Sequence, residues 1–323
     1  MALPFSASIL IVLVALLGAT TTSSTMPTSS SSIVEEEERA FLQSQWWSSG
    51  HNISLRCKWY GIVCNDAGSI IKISLSNYHY QPSSLPELQD MNWTAFPNLV
   101  SLDLSGIYLQ GAIPENIDAL IKLTHLNISN KNLTGKLPPT IANLTQLVLL
   151  DVSFNDINGQ IPKEIGNLKC LVRPDLSSNA FDGFILSSLG FLSNIIHMKL
   201  SYNYLTGEIR RDIRKLNSLV ILDIAYNCLS GPIPLEIGNL KNLTERYFER
   251  NSFTGALPST LANLSQLTIL DISLNRISGG IPLELSLIIS LTHLFLGFNQ
   301  FTGEIPRTFC NLTQLQEFYL SGN

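Results

Sequence analysis

The chain has 323 residues, of which 45% are hydrophobic and 14% are charged, and its net charge is −5 at pH 7. This length is enough to bury a sizeable core. The weakly acidic balance argues against a protein that binds nucleic acid or an anionic membrane surface.

The first residues have the pattern of a secretory signal peptide, which we assign to residues 1–20. A short apolar run, ILIVLVALL at residues 9–17, is followed by the small residues Gly18, Ala19 and Thr20. The run is too short to span a bilayer comfortably, which favours a signal peptide over a membrane anchor. The absence of Lys and Arg before the run is atypical of a signal peptide. The pattern predicts entry into the secretory pathway and a location that is extracellular or on the outer face of the plasma membrane.

Residues 21–34 are rich in Ser and Thr and are predicted to be disordered. Residues 35–68 are predicted to form an N-terminal cap. Four glutamates at 35–38 are expected to be a solvated face at the start of a helix that includes Phe41 and Leu42. The segment CKWYGIVC then places two cysteines, Cys57 and Cys64, seven residues apart. A metal site is disfavoured there, because no His or further Cys lies at ligand spacing.

A 24-residue repeat fills most of the remaining chain. Residues 69–98 form an irregular first coil, in which Ile70, Ile73 and Leu75 fit a strand pattern. Residues 99–314 hold nine copies of L-x-x-L-x-L-S-x-N-x-L-x-G-x-I-P-x-x-I-x-x-L-x-x, called repeats 1–9 below, and residues 315–323 begin a truncated tenth. A fixed period of this length indicates a solenoid in which neighbouring coils share one core.

The positions within one repeat suggest a role for each. The two apolar residues of L-x-L point to one face of a short strand, so the residues between and beside them face solvent. The asparagine has donors and an acceptor with which to satisfy the backbone of its own coil and the next. The glycine permits a turn that a side chain would obstruct, and the proline ends regular pairing.

With nine in-register repeats, whose signature is the L-x-G-x-I-P segment, and an upstream cysteine pair, the chain resembles the extracellular portion of plant leucine-rich-repeat receptor-like serine/threonine kinases. The resemblance covers about two thirds of the chain. It implies an α/β fold, a right-handed solenoid of leucine-rich repeats with an N-terminal disulfide cap, and it implies a Cys57–Cys64 disulfide, which secretion also favours.

Several positions depart from the repeat and predict local instability. The ladder asparagine is replaced by Ile107 and Lys131, the proline by Leu186 and Arg210, and a strand leucine by Pro174 and Arg246. A buried arginine is expected to need a partner. The cysteines outside the cap, Cys170, Cys228 and Cys310, lie too far apart to pair and are predicted to be buried, inert thiols.

Eight N-x-S/T sequons are candidate glycosylation sites in a secreted chain. They lie at Asn52, Asn92, Asn127, Asn132, Asn143, Asn242, Asn263 and Asn311. Part of this number follows from the repeat itself. Asn127 is expected on the concave face, where a glycan would block access to repeat 2.

Candidate ligand-binding residues are those that interrupt the regular columns of the solvent-facing strand positions in repeats 5–9. Aromatic and arginine side chains in such rows suit an interface hot spot, although scattered surface aromatics are also normal. The candidates are His197, Lys199, Tyr202, Tyr226, Glu245, Tyr247, Arg250, His293, Phe295 and Phe298. His125, His197 and His293 share a column but lie too many coils apart to hold one metal ion.

No catalytic motif is recognisable in the sequence, so no enzyme activity, catalytic residue, cofactor or metal is predicted for this chain. The resemblance implies recognition of a peptide or a co-receptor on the concave face, for signalling or defence. We expect the kinase and the membrane segment to belong to a longer protein. The alternatives are a secreted protein similar to polygalacturonase inhibitors, and a receptor-like protein without a kinase. The cysteine-paired C-terminal cap of such inhibitors is not found here.

Overall fold

The computed structural model describes residues 30–44, 46, 52–76, 86–105 and 107–323. The expected signal peptide and most of the Ser/Thr-rich segment lie outside these residues. An α-helix spans Ser30–Ser44, so the prediction of disorder up to residue 34 is wrong for its last five positions. The apolar residues of this helix account for the difference, since Ala40 and Phe41 are buried in the first coil of the core.

The expectation that all four glutamates at 35–38 are solvated is wrong for Glu37, because its side chain is fully buried. Its Oε1 accepts hydrogen bonds from the Ser69 hydroxyl at 2.6 Å and from the Ile70 amide at 2.9 Å. The Arg56 guanidinium lies 3.7 Å from its Oε2. Burial raises the pKa of Glu37, and these hydrogen bonds and the charge of Arg56 oppose that rise. The helix is thereby fixed to the first coil by polar contacts that the sequence pattern did not reveal.

The cap continues as a two-stranded antiparallel hairpin, Ile62–Cys64 with Ile70–Ser74. The predicted disulfide between Cys57 and Cys64 is confirmed. The second hairpin strand pairs in parallel with Ser101–Asp103 of repeat 1. The hairpin therefore covers the first edge of the repeat sheet.

The strands of the cap, the repeats and the truncated tenth repeat form one twelve-stranded sheet, in chain order and parallel beyond the hairpin. After Ile62–Cys64, Ile70–Ser74 and Ser101–Asp103, its strands are His125–Asn127, Leu149–Asp151, Arg173–Asp175, His197–Lys199, Ile221–Asp223, Glu245–Tyr247, Ile269–Asp271, His293–Phe295 and Glu317–Tyr319. Residues 24 apart are direct neighbours in its repeat register, so each repeat position forms a straight column.

A second set of short strands on the flank of the solenoid, called the lateral strands, forms small parallel sheets. They are Gln110–Ala112 with Asn132–Thr134, Asn158–Gln160 with Ala180–Asp182, Thr206–Gly207 with Cys228–Pro232 and Ser252–Thr254, and Ser278–Gly280 with Gln300–Thr302. The repeat glycines precede the turn out of these strands with φ near +75°, for example +75° at Gly207.

Segments of 3-10 helix return the chain along the convex side. They are Glu115–Ala119, Pro139–Asn143, Lys163–Asn167, Ser187–Phe191, Arg211–Lys215, Leu235–Asn239, Ser259–Asn263, Leu283–Leu287 and Arg307–Asn311 in the repeats, with Ile53–Lys58, Leu88–Asp90 and Trp93–Ala95 before them. The first apolar residue of every repeat, from Leu99 to Leu291, has 0% exposure. The core is therefore a continuous column shared between coils, as the repeat predicts.

The predicted asparagine ladder is present, but it connects each coil to the preceding coil and not to the next one as expected. Asn203 donates from Nδ2 to the carbonyl oxygens of Leu176, Leu200 and Ser201 at 3.0–3.2 Å, and its Oδ1 accepts from the Phe181 amide at 2.9 Å. Each such asparagine satisfies its own coil and the preceding one. Where lysine replaces it, Lys131 Nζ reaches back to the Ser105 carbonyl, and burial lowers the pKa of this amine to about 8.

The two residues that stand in place of strand leucines, Pro174 and Arg246, are both buried, but their contacts differ. Pro174 lies in the strand Arg173–Asp175, which keeps a single paired position, Asp175 with Lys199, to the next strand. Proline has no amide proton to donate to the sheet. Arg246 has 0% exposure, and none of its three side-chain nitrogens has a hydrogen-bond partner. Its guanidinium lies 5.3 Å from the Phe248 ring centroid, and burial lowers its pKa to about 9.

The prediction of buried, inert thiols is wrong. Cys170, Cys228 and Cys310 are all exposed and unpaired. They occupy the outer positions of the convex and lateral segments, where a side chain points away from the shared core.

Candidate functional site

The concave face presents the first and third residues of each three-residue strand, while the middle residue is buried. His197, Met198 and Lys199 show this pattern, as do Glu245, Arg246 and Tyr247. The register places His197 and Glu245 in one column, on either side of Ile221, and Lys199 and Tyr247 in the next. Together with His293 and Phe295 of repeat 9, six candidates therefore lie in two adjacent columns as expected.

The third candidate column does not lie on the strands, which corrects the sequence analysis. Tyr202, Tyr226, Arg250 and Phe298 come three residues after their strands, with φ between 51° and 55°. A side chain in this left-handed conformation costs about 1–3 kcal/mol. The conformation lets each backbone continue to bond the next coil, for example from the Tyr202 amide to the Ala225 carbonyl at 3.0 Å. It also directs the side chains outward along one edge of the concave face.

Three of these side chains form a continuous stack on consecutive repeats, called the Tyr-Tyr-Arg stack below. The Tyr202 and Tyr226 rings are parallel to within 15°, with centroids 4.1 Å apart. The Arg250 guanidinium lies 5.1 Å from the Tyr226 centroid on the following repeat. Tyr202 remains 52% exposed. Rigid aromatic surface of this kind loses little conformational entropy when a partner covers it.

Polar contacts fix the strand residues beside this stack. The Tyr247 hydroxyl donates to Glu245 Oε2 at 3.0 Å, and burial together with this carboxylate raises the pKa of Tyr247 to about 12. Lys199 forms an ion pair with Asp175 at 3.2 Å. Burial and the nearby charges of Arg173 and Lys199 lower the pKa of His197. His197 is therefore neutral at pH 7, and Tyr247 is a protonated donor.

The candidates of repeat 9 form a second, separate group. His293 lies 6.0 Å from Phe295 between ring centroids, and Phe298 lies 6.2 Å from Tyr319 of the truncated tenth repeat. Repeat 8 separates them from repeat 7 and presents Ile269, Asp271 and Leu274 in the same columns. The structure therefore brings seven of the ten candidates together over repeats 5–7 and places three on repeat 9.

Sequence reasoning missed Glu249, which lies between the stack and the strand columns. Its Oε2 is buried without a hydrogen-bond partner. Burial, followed by the charges of Asp271 and Asp223, raises the pKa of Glu249 to about 7. A signal was present in the sequence, because the same position is Ser, Ala or Gly in repeats 3–6, 8 and 9.

The sequons differ in how their side chains are used. Asn127 lies on a concave strand, and its Oδ1 accepts from the Ser129 amide and hydroxyl, so its amide nitrogen faces outward. Asn143 and Asn242 donate from Nδ2 to Asp118 and to the Asn217 carbonyl. The remaining sequon asparagines, Asn52, Asn92, Asn132, Asn263 and Asn311, are exposed.

Across the described ranges, no group of three or more His, Cys, Asp or Glu side chains is placed to hold a metal ion. The helices within those ranges include none long and apolar enough to cross a membrane.

Comparison with known proteins identifies the repeat. The family model for the Leucine Rich Repeat matches residues 122–144, 146–168, 218–240, 266–287 and 290–312. No curated protein sequence matches the chain significantly.

Solved structures of plant proteins share the fold. The leucine-rich-repeat ectodomain of the receptor kinase GASSHO1/SCHENGEN3 from Arabidopsis thaliana, in complex with CASPARIAN STRIP INTEGRITY FACTOR 2, is 32% identical with a TM-score of 0.81. That match covers 89% of this chain and 35% of the receptor chain. The Arabidopsis receptor kinase HAESA, in complex with the peptide hormone IDA and the co-receptor SERK1, is 25% identical with a TM-score of 0.66, over 90% of this chain and 53% of HAESA.

A third structure differs in length. A plant ice-binding protein is 25% identical with a TM-score of 0.70, and the match covers 88% of this chain and 95% of that protein. The chain thus spans about a third to a half of the receptor chains and nearly all of the ice-binding protein.

Proposed function

Since the chain is a leucine-rich-repeat protein with the architecture of plant receptor-kinase ectodomains, we propose that its concave face binds a peptide or protein ligand. The observation that carries this proposal is the solvent-exposed Tyr-Tyr-Arg stack, beside the strand residues of repeats 5–7. Tyr and Arg are the residue types that most often dominate binding energy at protein interfaces.

The binding residues in this proposal are the ten candidates, in two groups. His197, Lys199, Tyr202, Tyr226, Glu245, Tyr247 and Arg250 form the main contact surface, and His293, Phe295 and Phe298 form a second surface one repeat further along. A ligand in extended conformation rises about 3.3 Å per residue. Roughly six residues would therefore connect repeat 5 with repeat 9 across strands about 4.8 Å apart.

The larger protein is part of the proposal. We infer a secreted or plasma-membrane receptor in which this segment faces the outside, a co-receptor participates, and a separate kinase signals. Two relatives were crystallised with peptide ligands, and one of these also with a co-receptor. A secreted inhibitor-like protein and a receptor-like protein without a kinase would use the same face.

A glycan introduced on the concave face tests the proposal. Asp271→Asn creates the sequon Asn-Ile-Ser in repeat 8, at the column position that Asn127 occupies in repeat 2. Peptides are first selected from a displayed random library on the secreted protein. We expect their binding to fall at least tenfold on the glycosylated variant, because the glycan occupies the face beside Tyr247.

Two matched variants make this result specific. Asp271→Asn with Ser273→Ala makes the same charge change without a sequon. Asp103→Asn creates an equivalent sequon in repeat 1, outside the proposed surface. The first variant is the reference for the glycan alone, because Asp271 itself borders the proposed surface, and the glycosylated variant should bind at least tenfold more weakly than it. Asp103→Asn should bind like the wild-type protein, and equal binding by all three variants would contradict a concave ligand site.

Ice binding is the second candidate, favoured by the structural similarity to the plant ice-binding protein over 88% of this chain. The position before the repeat glycine carries hydroxyl side chains on the lateral strands at Thr134, Thr206, Ser230, Thr254, Ser278 and Thr302. Phe184 and Glu208 project beside this column, so the surface is not flat. This function predicts that the purified protein inhibits ice recrystallisation and that Thr206→Arg with Thr254→Arg abolishes the effect. If the wild-type protein leaves ice recrystallisation unchanged, ice binding is excluded.

A further inference from the structure

The carboxylates on repeats 6–8 determine the charge that a concave ligand must carry. Asp223, Tyr247 and Asp271 are direct neighbours in register. Strands lie about 4.8 Å apart, so the two aspartates flank Tyr247 at a separation of roughly 10 Å. Each aspartate is held in place by serine or backbone donors, Ser201 and Ala225 for Asp223 and Ser273 for Asp271.

Glu249 adds a third carboxylate between these two. It follows Tyr247 by two residues, and its strongest charge interactions are with Asp271 and Asp223. One of its oxygens is shielded from water and accepts no hydrogen bond. A buried acceptor without a donor costs about 1–3 kcal/mol, and a cation beside the cluster would offset part of that cost through its charge.

The cations nearest this cluster make their closest contacts elsewhere, although the charge of Lys199 partly offsets the rise that burial causes in the pKa of Asp223, and the charge of Arg250 does the same for the pKa of Glu249. Lys199 pairs with Asp175, and the Arg250 guanidinium is stacked on Tyr226. Among the residues that the structure describes, no cation lies within 4.0 Å of Asp223, Glu245, Glu249 or Asp271. Repeats 6–8 therefore present four carboxyl groups and one guanidinium on the concave face, beside exposed tyrosine rings that also attract cations. A ligand cation placed there would also favour the ionised form of Glu249, whose pKa burial raises to about 7.

We propose that the ligand segment seated on repeats 6–8 is a basic peptide, with a Lys or Arg side chain placed among Asp223, Glu249 and Asp271. This inference rests on the proposed function and specifies the ligand class for the same site. The cationic side chain lies among these carboxylates and donates to their accessible oxygens, while its neighbours in the peptide pack on the Tyr-Tyr-Arg stack. An acidic peptide would instead place like charges together, which disfavours binding.

The test uses the displayed random peptide library on the full, glycosylated chain at neutral pH and physiological salt. Enriched peptides should contain more Lys and Arg than the input library. Their affinity should fall about tenfold on Asp223→Asn with Glu249→Gln, a change that creates no sequon. The matched control, Asp156→Asn with Glu208→Gln, removes two exposed carboxylates from the lateral flank and should bind like the wild-type protein.

The outcomes separate the two proposals. Acidic or neutral peptides that lose binding on the repeat 8 glycan variant would overturn the basic-ligand inference and leave the concave site standing. Basic peptides that bind the Asp223/Glu249 variant as tightly as the wild-type protein would also overturn it. Such binding would reflect general attraction to an acidic protein and not contact with these carboxylates. Peptides indifferent to the glycan would contradict the proposed function itself.

Discussion

At the residue scale, single substitutions distinguish repeat 7 from its neighbours. Arg246 replaces a core leucine and Glu249 replaces a small residue, and both carry charge away from water. The two side chains belong to different faces, because Arg246 points into the core and Glu249 lies at the concave edge. Only Glu249 borders the proposed ligand surface. Substitution of Arg246 should therefore change stability, and substitution of Glu249 should change ligand binding.

Replacing Arg246 by leucine should stabilise the protein. The guanidinium is fully buried with only an aromatic ring beside it, and an uncompensated buried charge costs several kcal/mol. Leucine restores the packing of Leu222 and Leu270, its register neighbours. We expect a gain of about 2–4 kcal/mol, measured as a higher Tm and a higher denaturant midpoint.

Arg250→Leu is the control for Arg246, since it removes a guanidinium from an exposed position of the same repeat. It should change stability by less than about 1 kcal/mol. A lower Tm for Arg246→Leu would mean that the arginine has a stabilising partner and would contradict this account.

At the element scale, the coil is held by its asparagine as much as by its leucines. The ladder side chain serves backbone groups just after the end of its own concave strand and in the preceding coil. Repeats 1 and 2 lack it, and there Lys131 supplies only one contact to the previous coil. The ladder is complete from Asn155 onward, which includes every repeat of the proposed binding surface.

Asn203→Ala tests the ladder where it supports the Tyr-Tyr-Arg stack. The substitution leaves the Phe181 amide and the Leu176 and Leu200 carbonyls without their side-chain partner in a buried site. A loss of about 2–4 kcal/mol is expected in equilibrium unfolding. Asn158→Ala, at an exposed lateral position, should cost less than about 1 kcal/mol. Equal losses for the two variants would show that the ladder contributes nothing specific.

Much of this element structure could be predicted, because the 24-residue period fixes which positions are buried. The columns, the ladder and the disulfide followed from spacing and family resemblance. Three features could not be predicted from spacing or family resemblance. The left-handed conformation at Tyr202 depends on bonding to the next coil, burial of Glu37 depends on a contact with Ser69 far along the chain, and the exposure of Cys228 depends on which way a lateral strand faces.

At the scale of the whole molecule, the solenoid converts substitutions 24 residues apart into one continuous surface. Tyr202, Tyr226 and Arg250 are distant in sequence and stacked in space. Carboxylates on repeats 6–8 border the same surface, and a sequon on Asn127 would shield the concave face nearer the cap. We therefore expect the ligand to bind the middle and later repeats rather than the entire length of the solenoid.

The location of a bound ligand tests this account most directly. A selected peptide carrying a photoreactive side chain is cross-linked to the full chain, and the attachment sites are mapped by mass spectrometry. The account predicts attachment on the concave strands and the following turns of repeats 5–9, centred on Tyr226, Tyr247 and Arg250. Attachment confined to the lateral strands or to the convex 3-10 helices would contradict it.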